Sequence, residues 1–264
     1  MNDNTPKKSL GQHWLYDDAT LVAICDSADV GAADTVLEVG PGLGTLTRKL
    51  IDRAERVVAV EFDRDLADQL PGRVASDKLS VVSEDILSFD LTTLPEGYKV
   101  VANIPYYLTS NLIRVLCESS NAFSQAAILI QKEVAERVAA GPGQMSLLSI
   151  SAQFYCTVSL GPVVLAAMFT PPPKVDSQVL ILRHRAEPLF PDVDTKQFFR
   201  VVKAGFSQKR KTLVNSLSAG LALEKAQVRE LLQACDIAEN TRAQALSLDE
   251  WHALYRAIAA TYDK

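Results

Sequence analysis

The first two-thirds of the chain alternates short apolar runs rich in β-branched residues with longer segments in which apolar positions recur at helical spacing. This alternation is typical of a parallel sheet covered by helices on both faces. The runs are almost continuously apolar, as expected for strands that are buried on both sides. The predicted strands are Thr35–Val39, Arg56–Glu61, Leu79–Ser83, Lys99–Ala102 and Ala127–Ile130.

Two further apolar runs, Phe154–Leu160 and Gln178–His184, follow these strands. The segment between them ends in Pro171-Pro172-Pro173, and consecutive prolines exclude both a helix interior and a central strand there. We therefore predict that the two runs form an antiparallel pair that closes the sheet. The predicted fold class is α/β, with a doubly wound, mainly parallel, Rossmann-like sheet of seven strands.

The last part of the chain lacks β-branched runs and is rich in alanine and leucine at helical spacing. Two predicted helices are Leu223–Ala234 and Ser247–Tyr262, and the second begins with the Ser-x-x-Glu pattern of a capping box. Pro188 and Pro191 mark an extended connection before them. We predict an α/β domain and a small C-terminal all-α domain, over residues 1–187 and 188–264.

Composition places the chain among ordinary globular proteins, with 48% apolar and 22% charged residues. No apolar run approaches the ~18 residues that span a bilayer, and the beginning of the chain has no apolar segment of the secretory kind. The cysteines and histidines are scattered, without the spacing of a zinc site or a disulfide framework. The sequence therefore predicts a cytoplasmic protein with reduced cysteines, no membrane segment and no metal.

Charge is distributed unevenly along the chain. The net charge of −5 argues against a protein that is basic throughout. In contrast, Lys196–Lys211, called the basic segment below, holds six lysines and arginines and no acidic residue. Charge alone favours a solvated helix face over a phosphate-binding surface, so a role in binding nucleic acid needs independent support.

A glycine-rich turn follows the first predicted strand directly. It contains Gly40, Gly42 and Gly44 at G-x-G-x-G spacing. Glycine lets the backbone turn sharply and approach a ligand at the carboxyl end of a parallel strand, where doubly wound sheets bind cofactors. The spacing matches neither the dinucleotide pattern nor a P-loop. Taken by itself, the loop also fits a tight turn without a ligand.

The next three strands end in polar groups that suit a nucleoside cofactor and its substrate. Glu61 follows Gly40 by twenty-one residues, where a carboxylate can accept both hydroxyls of a ribose. Asp85 follows the third strand and suits the exocyclic amine of an adenine, and Asn103–Tyr106 follows the fourth. A nicotinamide-dependent dehydrogenase fits the glycines and Glu61, but the last two elements are hard to place in it.

This series resembles the class I S-adenosylmethionine-dependent methyltransferases. Asn103-Ile104-Pro105-Tyr106 resembles the (Asn/Asp)-x-Pro-(Tyr/Phe) motif of those that methylate exocyclic amino groups of bases. Four further segments resemble signatures of the bacterial small-subunit (16S) ribosomal RNA adenine N6,N6-dimethyltransferases, the kasugamycin-sensitivity family: Leu10–Leu15, Gln131–Arg137, Pro172–Ser177 and Phe206–Leu213. The resemblance extends over nearly the whole chain, and the motifs occur in the family's order.

The resemblance implies S-adenosylmethionine as the cofactor. Glu61 would hold its ribose hydroxyls and Asp85 its adenine amine, and the chain has His13-Trp14 where the family commonly has Asn-Phe. The implied cofactor-binding residues are His13, Leu15, Gly40, Gly42, Gly44, Glu61, Asp85 and Asn103.

The implied reaction transfers methyl groups to N6 of two adjacent adenines near the 3′ end of small-subunit ribosomal RNA, giving N6,N6-dimethyladenosine during 30S biogenesis. The Asn103 side-chain oxygen and the Ile104 carbonyl would accept the N6 hydrogens and favour a nitrogen that begins to pyramidalise. Pro105 would stiffen this loop.

The target base must leave its stack to react, and aromatic residues would receive it. Tyr106 is placed to stack on the base. Phe169 would either form the opposing face or pack in the core. Because side chains alternate along extended segments, Tyr107 is expected to point inward.

Ribosomal RNA as a substrate gives the basic segment a function, with Lys209, Arg210 and Lys211 as phosphate contacts. The resemblance then implies a catalytic α/β domain, an RNA- and ribosome-binding all-α domain, and a monomer that acts on an assembling 30S particle in the cytoplasm.

Two related functions remain open. Large-subunit dimethyltransferases of the erythromycin-resistance type share the cofactor and aromatic motifs, whereas Phe206–Leu213 and the helical tail favour the small-subunit type. The second alternative is a ribosome-assembly factor in which methylation is secondary or has been lost. The presence of Glu61, Asp85 and Asn103 argues against lost catalysis.

Overall fold

The computed structural model describes residues 6–7, 11–187 and 189–262, with Tyr262 described by its backbone alone. Leu10 of the N-terminal motif and Pro188 of the predicted connection lie outside the described residues. The chain divides into two compact units, one of Met1–Glu136 with Cys156–His184, the other of Arg137–Tyr155 with Arg185–Lys264. The predicted first domain included residues 137–155, which the structure assigns to the second unit.

Nine strands occur in the described part of the first unit. They are β1 (Trp14–Leu15), β2 (Thr35–Val39), β3 (Arg56–Glu61), β4 (Leu79–Ser83), β5 (Lys99–Asn103), β6 (Gln125–Gln131), β7 (Cys156–Val164), β8 (Phe169–Thr170) and β9 (Ser177–His184). Its described helices are α1 (Asp18–Ser27), α2 (Thr45–Ile51), α3 (Arg64–Arg73), α4 (Thr109–Glu118) and most of α5 (Lys132–Val138).

Seven of these strands form one sheet in the order β4-β3-β2-β5-β6-β9-β7. Strands β2 to β6 pair in parallel, and β9 pairs antiparallel with both β6 and β7. The doubly wound sheet and its antiparallel closing pair are therefore confirmed. The strand order reverses between β2 and β5, which is where ligands bind in open α/β sheets.

One predicted strand is wrong at its beginning. Phe154 and Tyr155 end a helix, α6 (Leu147–Tyr155), and β7 begins only at Cys156. Ile150 and Phe154 of this helix are both buried, four residues apart, and this spacing is helical. The run of apolar residues continues without a break from the helix into the strand, so its hydrophobicity does not mark the boundary.

The second unit is helical, as predicted for the end of the chain. After α6 its helices are α7 (Thr195–Phe206), α8 (Leu213–Leu221), α9 (Lys225–Ala234) and α10 (Leu248–Tyr262). Their shared core includes Phe154, Phe198 and Trp251. The capping box of α10 is confirmed, since the Ser247 N–H donates to Glu250 Oε2 at 2.7 Å and the Glu250 N–H donates to Ser247 Oγ at 3.1 Å. Among the described helices, none is both long and apolar enough to cross a membrane.

Candidate functional site

The carboxyl ends of β2, β3, β4 and β5, together with the segment that leads into β1, surround a cavity of ≈ 290 Å³ in the first unit. Of the predicted site residues in this unit, Gly44, Tyr106 and Phe169 do not line the cavity. Those that do line it are His13, Leu15, Gly40, Gly42, Glu61, Asp85, Asn103, Ile104 and Pro105. The strand ends therefore meet at one cavity, as their positions in a parallel sheet predict.

The glycine-rich turn lines the cavity, and its backbone conformation requires glycine. Gly42 has a φ of 55°, and a Cβ atom there would lie 2.6 Å from Cζ3 of Trp14. Gly44 has a φ of 81° and stands at the N-terminus of α2, with Val74 2.7 Å from the position of a Cβ atom. Gly42 thus provides room for the indole of Trp14, whereas Gly44 serves the packing of α2.

Glu61 is buried at the end of β3 and is held by the backbone on both sides. Its Oε2 accepts the Gly42 N–H at 3.0 Å, and its Oε1 accepts the Asp63 N–H at 2.8 Å. Burial raises the pKa of Glu61, and these two donors limit the rise. A carboxylate has about four lone-pair sites, so it can still accept two ligand hydroxyls.

Asp85 and two apolar side chains form the wall beyond β4. Asp85 Oδ1 accepts the Leu87 N–H at 3.0 Å, which fixes the carboxylate at the cavity. Phe62 is 63% exposed beside Glu61, and Ile86 is buried beside Asp85. Both side chains line the cavity. Their apolar surfaces suit the ring of an adenine, and the carboxylate at the edge suits its amine. Phe62 and Ile86 were not predicted from the sequence, although each directly follows a predicted site residue.

Asn103 is the last residue of β5 and begins the segment that faces the glycine-rich turn. A Cβ atom at Gly40 would lie 3.7 Å from the Asn103 carbonyl oxygen, so the two strand ends approach closely. Pro105 precedes a single 3₁₀ turn, Tyr106–Leu108, and its carbonyl accepts the Leu108 N–H at 3.0 Å. The Tyr106 hydroxyl lies 2.9 Å from Ser177 Oγ.

Residues 11–15 form another wall of the cavity. β1 pairs antiparallel with β8, so that Leu15 lies opposite Phe169. His13 Nδ1 lies 2.6 Å from the Pro171 carbonyl oxygen, and because a carbonyl only accepts, Nδ1 carries a proton there. The His13 ring is nearly parallel to that of Tyr106, at 21° and 6.1 Å between centroids.

The carboxylates of the cavity are not grouped as metal ligands. No cluster of three or more His, Cys, Asp or Glu side chains that could hold a metal ion occurs in the described part of the chain.

Comparison with known proteins shows the family of this chain. The sequence model of the family described as "Ribosomal RNA adenine dimethylase" matches residues 3–260. The chain belongs to the ribosomal RNA adenine dimethylase family. A relative from Alkaliphilus metalliredigens, named ribosomal RNA small subunit methyltransferase A, is 41% identical over 263 residues, which is 96% of this chain and 92% of the relative.

Two solved structures share the fold of this chain along almost its whole length. A dimethyladenosine transferase from Plasmodium falciparum is 26% identical, with a TM-score of 0.81 over 95% of this chain and 98% of its own. The 23S rRNA methyltransferase ErmE is 28% identical, with a TM-score of 0.75 over 93% of this chain and 99% of its own.

Phe169 does not reach the cavity of this dimethylase. It is 4% exposed and packs in the core cluster with Leu15, Val164 and Val179. Its pairing with Leu15 across β1 and β8 turns both side chains into this core. In this structure Phe169 therefore packs in the core, and its role as a face that stacks on the base stays a prediction.

The expectation that Tyr107 points inward is wrong. Tyr107 is 67% exposed and lines the cavity, whereas Tyr106 is partly buried and bonded to Ser177. The alternation of side chains applies to extended backbone, but Tyr106–Leu108 is a 3₁₀ turn. The backbone after Pro105 therefore changes the direction in which successive side chains point.

Glu38 is a buried carboxyl of β2 that the sequence analysis did not single out. It is 1% exposed. Burial raises the pKa of Glu38 to about 8; the Thr47 hydroxyl opposes the rise, and the charge of Glu61 adds to it. Since the neutral form is favoured at neutral pH, Glu38 is a candidate for a carboxylic acid that stays protonated beside the cofactor loop.

The basic segment lies in the second unit and is exposed throughout its charged positions. Lys196, Arg200 and Lys203 recur along one exposed side of α7. Lys209, Arg210 and Lys211 follow in the connection between α7 and α8, and all three are exposed. The six cations are therefore available to a polyanion.

Proposed function

We propose that this chain transfers methyl groups from S-adenosylmethionine to N6 of two adjacent adenines near the 3′ end of small-subunit ribosomal RNA, giving N6,N6-dimethyladenosine during 30S biogenesis. The observation that carries this proposal is the convergence of Gly40, Glu61 and Asp85 with Asn103 and Ile104 on one cavity. Membership of the ribosomal RNA adenine dimethylase family supports the reaction class, and the name of the Alkaliphilus relative supports the small subunit.

The residues of the cavity fit S-adenosylmethionine. The Glu61 carboxylate would accept the ribose hydroxyls, and the free oxygen of Asp85 would accept from the adenine amine. Phe62 and Ile86 would contact the adenine ring. The backbone at Gly40 and Gly42 would pass under the methionine and ribose, with His13, Leu15 and Asn103 completing the binding residues and Gly44 supporting the loop through α2.

The bound cofactor supplies an electrophilic methyl group on a positively charged sulfur, so neither a metal nor a covalent enzyme intermediate is required. The task of the protein is to present N6, whose lone pair is delocalised into the adenine ring. The Asn103 side-chain oxygen and the Ile104 carbonyl would accept the two N6 hydrogens. These contacts strengthen as positive charge develops on the nitrogen, which lowers the barrier.

Tyr106 would position the extruded base. Its hydroxyl lies 2.9 Å from Ser177 Oγ, which holds the end of the side chain, and Pro105 restricts the backbone before it. The exposed ring of Tyr107 offers a further apolar surface at the cavity. Phe169, the other residue predicted to stack on the base, packs in the core beside Leu15, which itself lines the cavity.

The large-subunit alternative rests on the similarity to ErmE, which is named a 23S rRNA methyltransferase. That similarity is 28% identity, against 41% for the relative with the small-subunit name. The small subunit is therefore the preferred substrate, and methyl transfer to isolated subunits of both kinds tests this choice.

We place the protein in the cytoplasm as a monomer that binds an assembling 30S particle. The basic segment is local and the net charge is −5, so electrostatic binding is confined to one surface. An assembled particle would present RNA to that surface and to the cavity together. The α/β domain would catalyse methyl transfer, and the all-α domain would bind the ribosomal RNA.

Neutralising Lys209, Arg210 and Lys211 together is expected to weaken RNA binding and to reduce the slope of log K against log salt by up to about 3, if each cation contacts a phosphate. The measurement is binding of a small-subunit RNA fragment at several salt concentrations. Neutralising Lys225, Arg229 and Arg242, which are exposed in the same unit outside the basic segment, is the matched control. Equal slopes for the wild type and the Lys209–Lys211 variant would make the segment a solvated surface.

A further inference from the structure

Lys7 forms an ion pair with two carboxylates at the beginning of α3. Its Nζ lies 2.9 Å from Asp63 and 2.9 Å from Asp65. The Asp63 side chain is 4% exposed, whereas the side chains of Lys7 and Asp65 are 46% and 75% exposed. Burial alone would raise the pKa of Asp63, but hydrogen bonds from Lys7 and Gln12 outweigh it and hold that pKa below its usual range.

Hydrogen bonds connect this ion pair to the cavity by two routes. The Asp63 N–H donates to Glu61 Oε1 at 2.8 Å, so the residue that pairs with Lys7 also holds one oxygen of Glu61. Gln12 lines the cavity, accepts the Lys7 N–H at 2.8 Å and donates to Asp63 Oδ2 at 3.4 Å. Gly42 holds the other oxygen of Glu61 from the opposite side.

A buried carboxylate that loses its cation is costly, and it turns toward water or takes up a proton. Either change at Asp63 would disturb the backbone amide that orients Glu61. We propose that Lys7 is a positioning residue for the cofactor: through Asp63 it keeps the Glu61 carboxylate oriented toward the ribose hydroxyls. This inference rests on the proposed role of Glu61, and nothing in the glycine-rich or Asn103 motifs points to it.

The test is the dissociation constant of S-adenosylhomocysteine for the purified full chain, measured by calorimetric titration. Lys7→Ala is expected to raise it about fivefold, since a charge-assisted contact is worth about 1 kcal/mol or more. Lys7→Arg, which can pair with the same carboxylates, should restore it to within about twofold. Arg53→Ala removes a more exposed ion pair, with Asp26, whose residues do not line the cavity, and should leave the constant unchanged.

A ligand without ribose hydroxyls separates positioning from general destabilisation. For the 2′,3′-dideoxyribose counterpart of the same ligand, Lys7→Ala and the wild type should bind equally, because Glu61 then has nothing to hold. Lys7→Ala should also have no further effect in an Asp63→Asn background. An equal loss for both ligands, additive effects of the two substitutions, or no loss in Lys7→Ala would each overturn the proposal.

Glu61→Ala distinguishes failure of this inference from failure of the proposed function. We expect it to raise the dissociation constant on the order of tenfold or more, as loss of hydrogen bonds to a charged group does. If Glu61→Ala has this effect and Lys7→Ala has none, only the role of Lys7 is lost. If Glu61→Ala itself leaves binding unchanged, the assignment of the ribose to Glu61 fails.

Discussion

Replacing Asn103 by alanine is expected to lower the rate of methyl transfer on the order of 100-fold or more while changing the dissociation constant of S-adenosylmethionine by no more than about threefold. The side-chain oxygen of Asn103 would accept a hydrogen from the attacking N6, and this contact strengthens as charge develops on the nitrogen. Its loss therefore raises the barrier more than it weakens binding of either substrate. Single-turnover kinetics with small-subunit RNA and a separate cofactor titration measure the two effects.

Two further variants make this result specific. Asn103→Asp keeps an oxygen acceptor at the same place and should retain more activity than Asn103→Ala. Asn111→Ala removes the same amide from a neighbouring position at the cavity, in α4, and should change the rate by less than about threefold. A large loss of cofactor binding in Asn103→Ala, with turnover preserved at saturating cofactor, would contradict the place of Asn103 beside the target nitrogen.

Replacing Glu38 by glutamine is expected to stabilise the protein relative to the wild type increasingly as the pH rises from 5 to 8. The buried carboxyl has a pKa of about 8 in the folded chain and an ordinary one when unfolded. The folded state therefore binds one more proton in this range, and the free energy of unfolding falls as the pH rises. Glutamine does not titrate, so the variant lacks this decrease in the free energy of unfolding, which is on the order of 3 kcal/mol between pH 5 and 8.

The measurement is urea unfolding of both proteins at several pH values, compared as a difference so that other titrating groups cancel. Infrared spectra supply a second readout, since the wild type at pH 6 should show the band of a protonated carboxyl that the variant lacks. Parallel stability curves for the two proteins would mean that Glu38 is ionised in the folded state.

Much of the fold and the location of the site follow from local patterns in the sequence. Buried parallel strands are nearly continuous apolar runs, so β2 to β5 could be located within a residue. Their carboxyl ends necessarily share one edge of the sheet, so the positions of Glu61, Asp85 and Asn103 sufficed to predict one cavity.

Other features depend on contacts that no local pattern contains. Phe169 ends an apolar run in either interpretation, and only the pairing of β8 with β1 places it in the core. Tyr107 points out because the backbone turns after Pro105. Residues 137–155 precede a strand of the first unit but belong to the second. The pairing of Lys7 with Asp63 joins positions 56 residues apart, with no motif to connect them.

Transfer of labelled methyl groups from S-adenosylmethionine to small ribosomal subunits that lack the modification, with large subunits in parallel, tests the proposed function. The product nucleosides are identified after digestion of the RNA. We expect N6,N6-dimethyladenosine in the small-subunit RNA and no label in the large-subunit RNA. Label in large subunits alone, or none in either despite cofactor binding, would contradict the proposed function.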